Sequence, residues 1–198
     1  MHITYQDLFG YIAGFLMIFG MIPYIRSIVI VKETKLNRSS WVIWAIIGIM
    51  NLLAYFKAGE RETIWFVFAG ALNPVILFIL SLKYGVQIWY RSDTVCIVIA
   101  IFAIILWKTT GNPVLAIIAG LTADGIAICP ILIKIKKNPY TENLFSWIIG
   151  LTASISNIFA VKEWTWANSI YTIYMVLAFA IIVIPLAKWQ LFRKPSPE

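Results

Sequence analysis

Residues 113–133 read PVLAIIAGLTADGIAICPILI, 21 residues with one charge, Asp124. That is the length of helix needed to cross about 30 Å of hydrocarbon, because a span takes roughly 20 mostly apolar residues. Outward from this stretch, further apolar runs bounded by charges and turn formers fall near 8–31, 41–56, 63–82, 94–107, 144–161 and 164–187. The expected fold is therefore all-α and membrane-embedded, with seven spans. The run at 94–107 is short and pinned by Arg91 and Lys108, which predicts a helix that is thin, tilted or flanked by snorkelling side chains. The chain has 198 residues, 61% of them hydrophobic and 13% charged, and its mean hydropathy is +0.86. Seven runs leave only tight connections, so no soluble domain fits beside them.

The charges that remain are arranged. Connections one–two, three–four and five–six and the C-terminus, with their span ends, hold 12 of the 16 Lys and Arg, and the opposite side holds 4. Basic residues stay on the cytoplasmic side, which predicts an outside N-terminus, a cytoplasmic C-terminus and an odd number of spans. The same topological need accounts for the net charge of +7, so binding of nucleic acid is not implied. The opening MHITYQDLFG has no Lys or Arg to serve as a signal-peptide leader, and the first span is expected to be retained. Cys96 and Cys129 lie inside apolar runs without metal-type spacing and read as small buried hydrophobes. Trp89, Trp107, Trp164, Trp166 and Trp189 lie at span ends, where an interfacial belt is the expected role.

The two halves of the chain resemble each other. In the first, Pro23 lies in span one, a basic loop follows, Ser40-Trp41-Val42-Ile43 opens span two, and Asn51 comes ten residues after the Trp. In the second, Pro130 lies in span five, a basic loop follows, Ser146-Trp147-Ile148-Ile149 opens span six, and Asn157 again comes ten residues after the Trp. Four matches in one order predict a duplicated three-helix unit. The units would be residues 1–84 and 111–198, with 85–110 as a linker helix that returns the second to the same side. Such repeats are parallel, related by an axis along the membrane normal.

The segments GMIPYIRSIVIVKETKLNRSSWVIWAIIGIMNLLAYF and ICPILIKIKKNPYTENLFSWIIGLTASISN carry a resemblance to the superfamily of SWEET sugar transporters, PQ-loop proteins and PnuC vitamin transporters. Trp41-Val42-Ile43-Trp44 is similar to the Trp-x-x-Trp of PnuC proteins, and Pro23 and Pro130 match two of the four SWEET helix prolines. Pro23-Tyr24 and Pro130-Ile131 stand where a PQ-loop protein has Pro-Gln. The resemblance implies a three-one-three helix layout and alternating access, and Asn73 resembles a pocket Asn of SWEET third helices.

Few residues could carry chemistry. Asp124, eleven residues past Pro113, falls about 16 Å into its helix at about 1.5 Å per residue, near the midplane. An ionised carboxylate there costs about 2.5 kcal/mol or more, so it should face a polar cavity, pair or stay protonated. Asn51, Asn73 and Asn157 reach similar depth, and an amide can both donate to and accept from the hydroxyls of a small solute. The competing role for each is helix-to-helix glue. Trp44, Trp65 and Trp147 complete the expected substrate-binding set, and Pro23, Pro74 and Pro130 are expected hinges.

An enzyme is poorly supported: His2 is the one histidine, neither cysteine has a base nearby in sequence, and no Gly-rich phosphate loop occurs. No residue pattern implies a cofactor or a metal. A retinal protein would need a lysine inside the last span, where Leu177-Ala178-Phe179-Ala180-Ile181-Ile182 offers none. Two classes stand: a transporter, passive or proton-coupled, for a small polar solute such as a sugar or nucleoside-type vitamin, and a membrane receptor or sorting factor of the same layout. The partners implied are that solute and the lipid bilayer, and the oligomeric state stays open.

Overall fold

The computed structural model describes residues 3–59, 63–86 and 91–192. They form α1 (Tyr5–Arg26), α2 (Arg38–Lys57), α3 (Ile64–Tyr84), α4 (Arg91–Thr110), α5 (Pro113–Lys137), α6 (Leu144–Ala160) and α7 (Trp166–Phe192). Five of these, α1 with its extension to Val31, α2, α3, α5 and α7, are long and apolar enough to cross a membrane, and α6 is apolar but shorter at 17 residues. The protein is all-α and of membrane type. Large apolar side chains such as Phe15, Phe19, Leu53, Phe102 and Ile184 are exposed along these helices, as expected where lipid rather than water is the neighbour.

Helix starts follow from local chemistry. Thr4 and Asp7 form a reciprocal capping box on α1, with Thr4 N donating to Asp7 Oδ2 at 2.9 Å and Asp7 N to Thr4 Oγ1 at 3.3 Å. Asn112 accepts from Val114 N ahead of Pro113, and Asn143 accepts from Ser146 N, so asparagine caps open α5 and α6. Four residues after Pro23, α1 relaxes into a π-helical turn, Ser27–Val31, which ends on Lys32 at φ 62°.

Two features depart from the expectation. The apolar run at 94–107 belongs to a full 20-residue helix, Arg91–Thr110, because the helix continues through its charged ends. Two-residue strands also occur, β1 (Leu36–Asn37) and β2 (Gly85–Val86), paired in parallel. Arg38 anchors this junction: its Nη2 donates to Leu82 O at 3.1 Å and its Nε to Ser81 O at 3.4 Å, satisfying carbonyls at the end of α3. Trp89 and the side chains of Cys96 and Trp107 lie outside the described residues, whereas Cys129 is exposed on the outer face of α5 rather than buried.

Packing is a closed circuit. α3 touches both α1 and α2, α7 touches both α5 and α6, and the two groups meet along α1–α6 and α2–α5. Around the circuit the order is α1, α3, α2, α5, α7, α6, with α4 outside against α5 and α2. Glycines allow the close approaches: a Cβ at Gly20 would sit 3.1 Å from Ile149 of α6, and one at Gly48 3.0 Å from Ala71 of α3. Two buried apolar clusters cap the circuit. One, with Ile28, Leu36, Ile135 and Leu186, lies at the end carrying the basic loops; the other, with Ala13, Tyr55, Phe66 and Ile117, lies at the opposite end.

Candidate functional site

Between the clusters lies a cavity of about 160 Å³, to which α1, α2, α3, α5, α6 and α7 all contribute side chains. Trp41, Trp44 and Trp147 line it near the basic end, Met17 and Phe66 toward the other, and Asn51, Asn73 and Asp124 between. Of the residues expected to bind a solute, Trp44, Asn51, Asn73, Asp124 and Trp147 line this one space.

Asp124 is half-buried on α5, and Tyr174 of α7 donates to its Oδ2 at 2.7 Å. Asn51 projects from α2 onto Gly120, where an added Cβ would collide with the Asn51 Oδ1. Gly120 and Asp124 are one helical turn apart on α5, so the Asn51 carbonyl and the carboxylate share a face. Asn73 donates through Nδ2 to Met17 O at 2.8 Å, tying α3 to α1, and its Oδ1 is buried without a partner. The Asn51 Oδ1 and the Trp44 Nε1 are likewise buried and unpartnered. Buried polar groups are nearly always hydrogen-bonded, so three unpartnered ones around a cavity need an account.

Two expected residues lie elsewhere. Asn157 is fully buried away from the cavity and donates through Nδ2 to Thr172 Oγ1 at 3.2 Å, within the α6–α7 contact. Its register matches Asn51, but α6 presents that position to α7 instead of to the central space. Trp65 is 51% exposed on the outside of α3, against Tyr11 at 6.0 Å between ring centroids. Among the expected hinges, Pro74 lines the cavity while Pro23 and Pro130 sit inside α1 and α5 beside lining residues. Pro185, inside α7, was not among the expected hinges.

A polar knot lies toward each end of the helix circuit. At the basic end the Glu142 carboxylate, fully buried, receives the Tyr24 hydroxyl at 2.8 Å and the Trp147 Nε1 at 3.0 Å on one oxygen. Its other oxygen lies 2.6 Å from Lys134 Nζ, in an ion pair held by charge rather than an aligned hydrogen bond. Lys134 also donates to Lys35 O at 2.8 Å, and Gln190 Nε2 to Glu142 O at 3.1 Å. One carboxylate thus joins α1, α5 and α6, with Gln190 of α7 on its backbone. Tyr24 packs edge-on against Trp41 at 5.8 Å and Trp147 at 6.3 Å, completing an aromatic floor. At the opposite end Tyr55, Thr63 and Asn168 hydrogen-bond one another where α2 ends and α3 and α7 begin. Outside that knot Lys162 pairs with Asp7 at 2.6 Å.

Sequence reasoning missed Glu142, Tyr24 and Tyr174. Glu142 did carry a signal, being a lone acid in a loop otherwise rich in lysine, and Tyr24 directly follows a helix proline. Lys134, read as a topological charge, is here also the partner of a buried acid. Compared with protein families, curated proteins and solved structures, the chain matches none at a significant level.

Proposed function

We propose that the protein is a seven-span transporter for a small polar solute, built as two parallel three-helix units joined by α4 and working by alternating access. The observation that carries this reading is one space between the two halves of the circuit, lined by Asp124, Asn51, Asn73 and Trp44. A carboxylate and two amides around one space give a polar solute groups to meet, as a small-molecule site requires. The circuit supports the duplication, since exchanging α1, α2 and α3 for α5, α6 and α7 maps the α1–α6 contact onto α5–α2. So does register: Met17 and Asp124 each precede their helix proline by six residues and Met21 and Ile128 by two, and all four line the cavity. These features agree with the SWEET, PQ-loop and PnuC resemblance, and we keep that superfamily as the proposed relationship. The polar knots at the two ends are natural gates, the basic one facing the cytoplasm if the N-terminus is outside.

In this mechanism solute enters while one knot is open and is held against Asn51, Asn73, Asp124 and Trp44. It leaves after that knot closes and the other parts. The test is flux. Purified protein in liposomes should accelerate uptake of some member of a panel of labelled sugars, nucleosides, amino acids and amines, and Asn51→Ala should abolish it. No accelerated flux for any class, alongside specific binding of a peptide, would move the protein to the receptor reading.

A further inference from the structure

The cavity has a sign. Its wall holds one carboxylate, Asp124, and no Lys, Arg or His among the described lining residues. The other acid nearby, Glu142, is already compensated by Lys134. Tyr24, Tyr171 and Tyr174 are the remaining titratable groups facing this region, and as neutral phenols they add no charge. Asn51 and Asn73 add amides to this wall and Trp44 an indole, none of them charged. The wall also carries aromatic rings and methionines, including Phe66, Phe179, Met21 and Met175, among aliphatic and glycine positions.

A negatively charged space with aromatic rings in its wall calls for a ligand that brings N–H donors and positive charge. A neutral solute would leave an ionised Asp124 desolvated with a single hydroxyl for company, and an anionic one would add repulsion. An ammonium group instead offers several donors to the carboxylate, while the rings accept the cation through their faces. The volume sets the size. About 160 Å³ is close to the roughly 150 Å³ of an apolar cavity that holds benzene, so one ring and a short amine arm fit.

We infer that the solute is a small organic ammonium ion whose charge is held by Asp124 and whose apolar body lies against the aromatic side chains of the wall. This rests on the transport reading for the role of the cavity, but its test measures binding and not flux. Three probes share a ring and differ in charge: phenethylamine, 2-phenylethanol and phenylacetate, titrated at neutral pH into detergent-purified protein by calorimetry and by tryptophan fluorescence. The amine should bind at least about tenfold more tightly than the alcohol, and the acid should give no saturable signal. Asp124→Asn should bring the amine down to the level of the alcohol. Tyr174→Phe, which keeps the carboxylate, should preserve the order. If Asp124→Asn is not monodisperse, the wild-type comparison still decides. Equal binding of amine and alcohol, preference for the acid, or no amine binding at millimolar concentration would each overturn the inference. Flux of a neutral sugar with no amine binding would refute the ammonium assignment and leave the transporter standing. Amine binding without flux of any class would do the reverse.

Discussion

Replacing Lys134 with Met strands a carboxylate. The Glu142 side chain is 0% exposed and that of Lys134 is 24% exposed, so the acid cannot turn to water and the lysine can. Removing one partner of a buried pair costs about 3–5 kcal/mol, because the uncompensated charge stays desolvated. Tyr24 and Trp147 still donate to the acid, which places the expected loss near the lower bound, about 3 kcal/mol. Glu142→Gln keeps an oxygen for those two donors and frees the part-exposed lysine to reach solvent, so its cost should be about 1–2 kcal/mol. The double variant has neither charge and should be little worse than Glu142→Gln alone. The cycle therefore predicts a coupling of about 2–3 kcal/mol. At about 2–4 °C per kcal/mol for a chain this size, Lys134→Met should lower the unfolding midpoint by about 6–12 °C and the double variant should recover about half of it. Scanning fluorimetry of the four proteins in one detergent checks this. Additive losses, with coupling below about 0.5 kcal/mol, would show that the acid and the lysine do not depend on each other and refute the gate chemistry argued from them.

Asn51→Ala and Asn157→Ala should separate cleanly despite their matching register. The first removes an already unpartnered carbonyl and should change stability by less than about 1 kcal/mol while abolishing solute binding; the second breaks the bond to Thr172 and should cost about 1–2 kcal/mol while sparing binding. Binding lost in both, or in neither, would undo the assignment. Gly120→Val should cost about 1–3 kcal/mol through overpacking and reproduce the binding defect of Asn51→Ala, because the new side chain displaces the Asn51 amide; titration of a stably folded Gly120→Val protein that binds normally would contradict it. For orientation, a cysteine at the exposed Glu163, after Cys96 and Cys129 are replaced by Ser, should react with an impermeant maleimide in intact cells, while one at the exposed Glu33 should react only after lysis. The opposite pattern would invert the proposed topology.

How far the sequence could be read depended on range. Helix positions were legible because twenty apolar residues between charges have one stable arrangement in lipid, and the depth of Asn51, Asn73 and Asp124 followed from counting residues along a helix. Azimuth was not legible. Depth along an axis says nothing of which neighbour a side chain meets, so Asn157 faces Thr172 and Trp65 faces outward, though both lie at plausible positions along their helices. The periodicity that reports facing in a soluble helix is muted here, since both the lipid side and the core side are apolar. Glu142 was hidden for another reason. Its meaning depends on Tyr24, 118 residues away, and on a loop fold that no local pattern specifies.

The circuit of helices has two joints between its halves, and they are not alike. Along α1–α6 the approach is close, with Gly20 seated on Ile149 and the Ser146 carbonyl, and it is the most extensive helix contact among the described residues. Along α2–α5 the joint holds the Asn51 amide against Gly120, a carbonyl with no partner, and α4 resting across the outside. Separating the first joint would tear apart tightly fitted apolar surface, whereas separating the second exposes a group already prepared to meet water or solute. If the protein alternates access as proposed, it should open like a book, with α1–α6 as the spine and α2–α5 as the fore-edge. Spin labels paired across each joint should record distance changes at α2–α5 and almost none at α1–α6, and equal movement at both would mean that the symmetry of the chain extends to its motion.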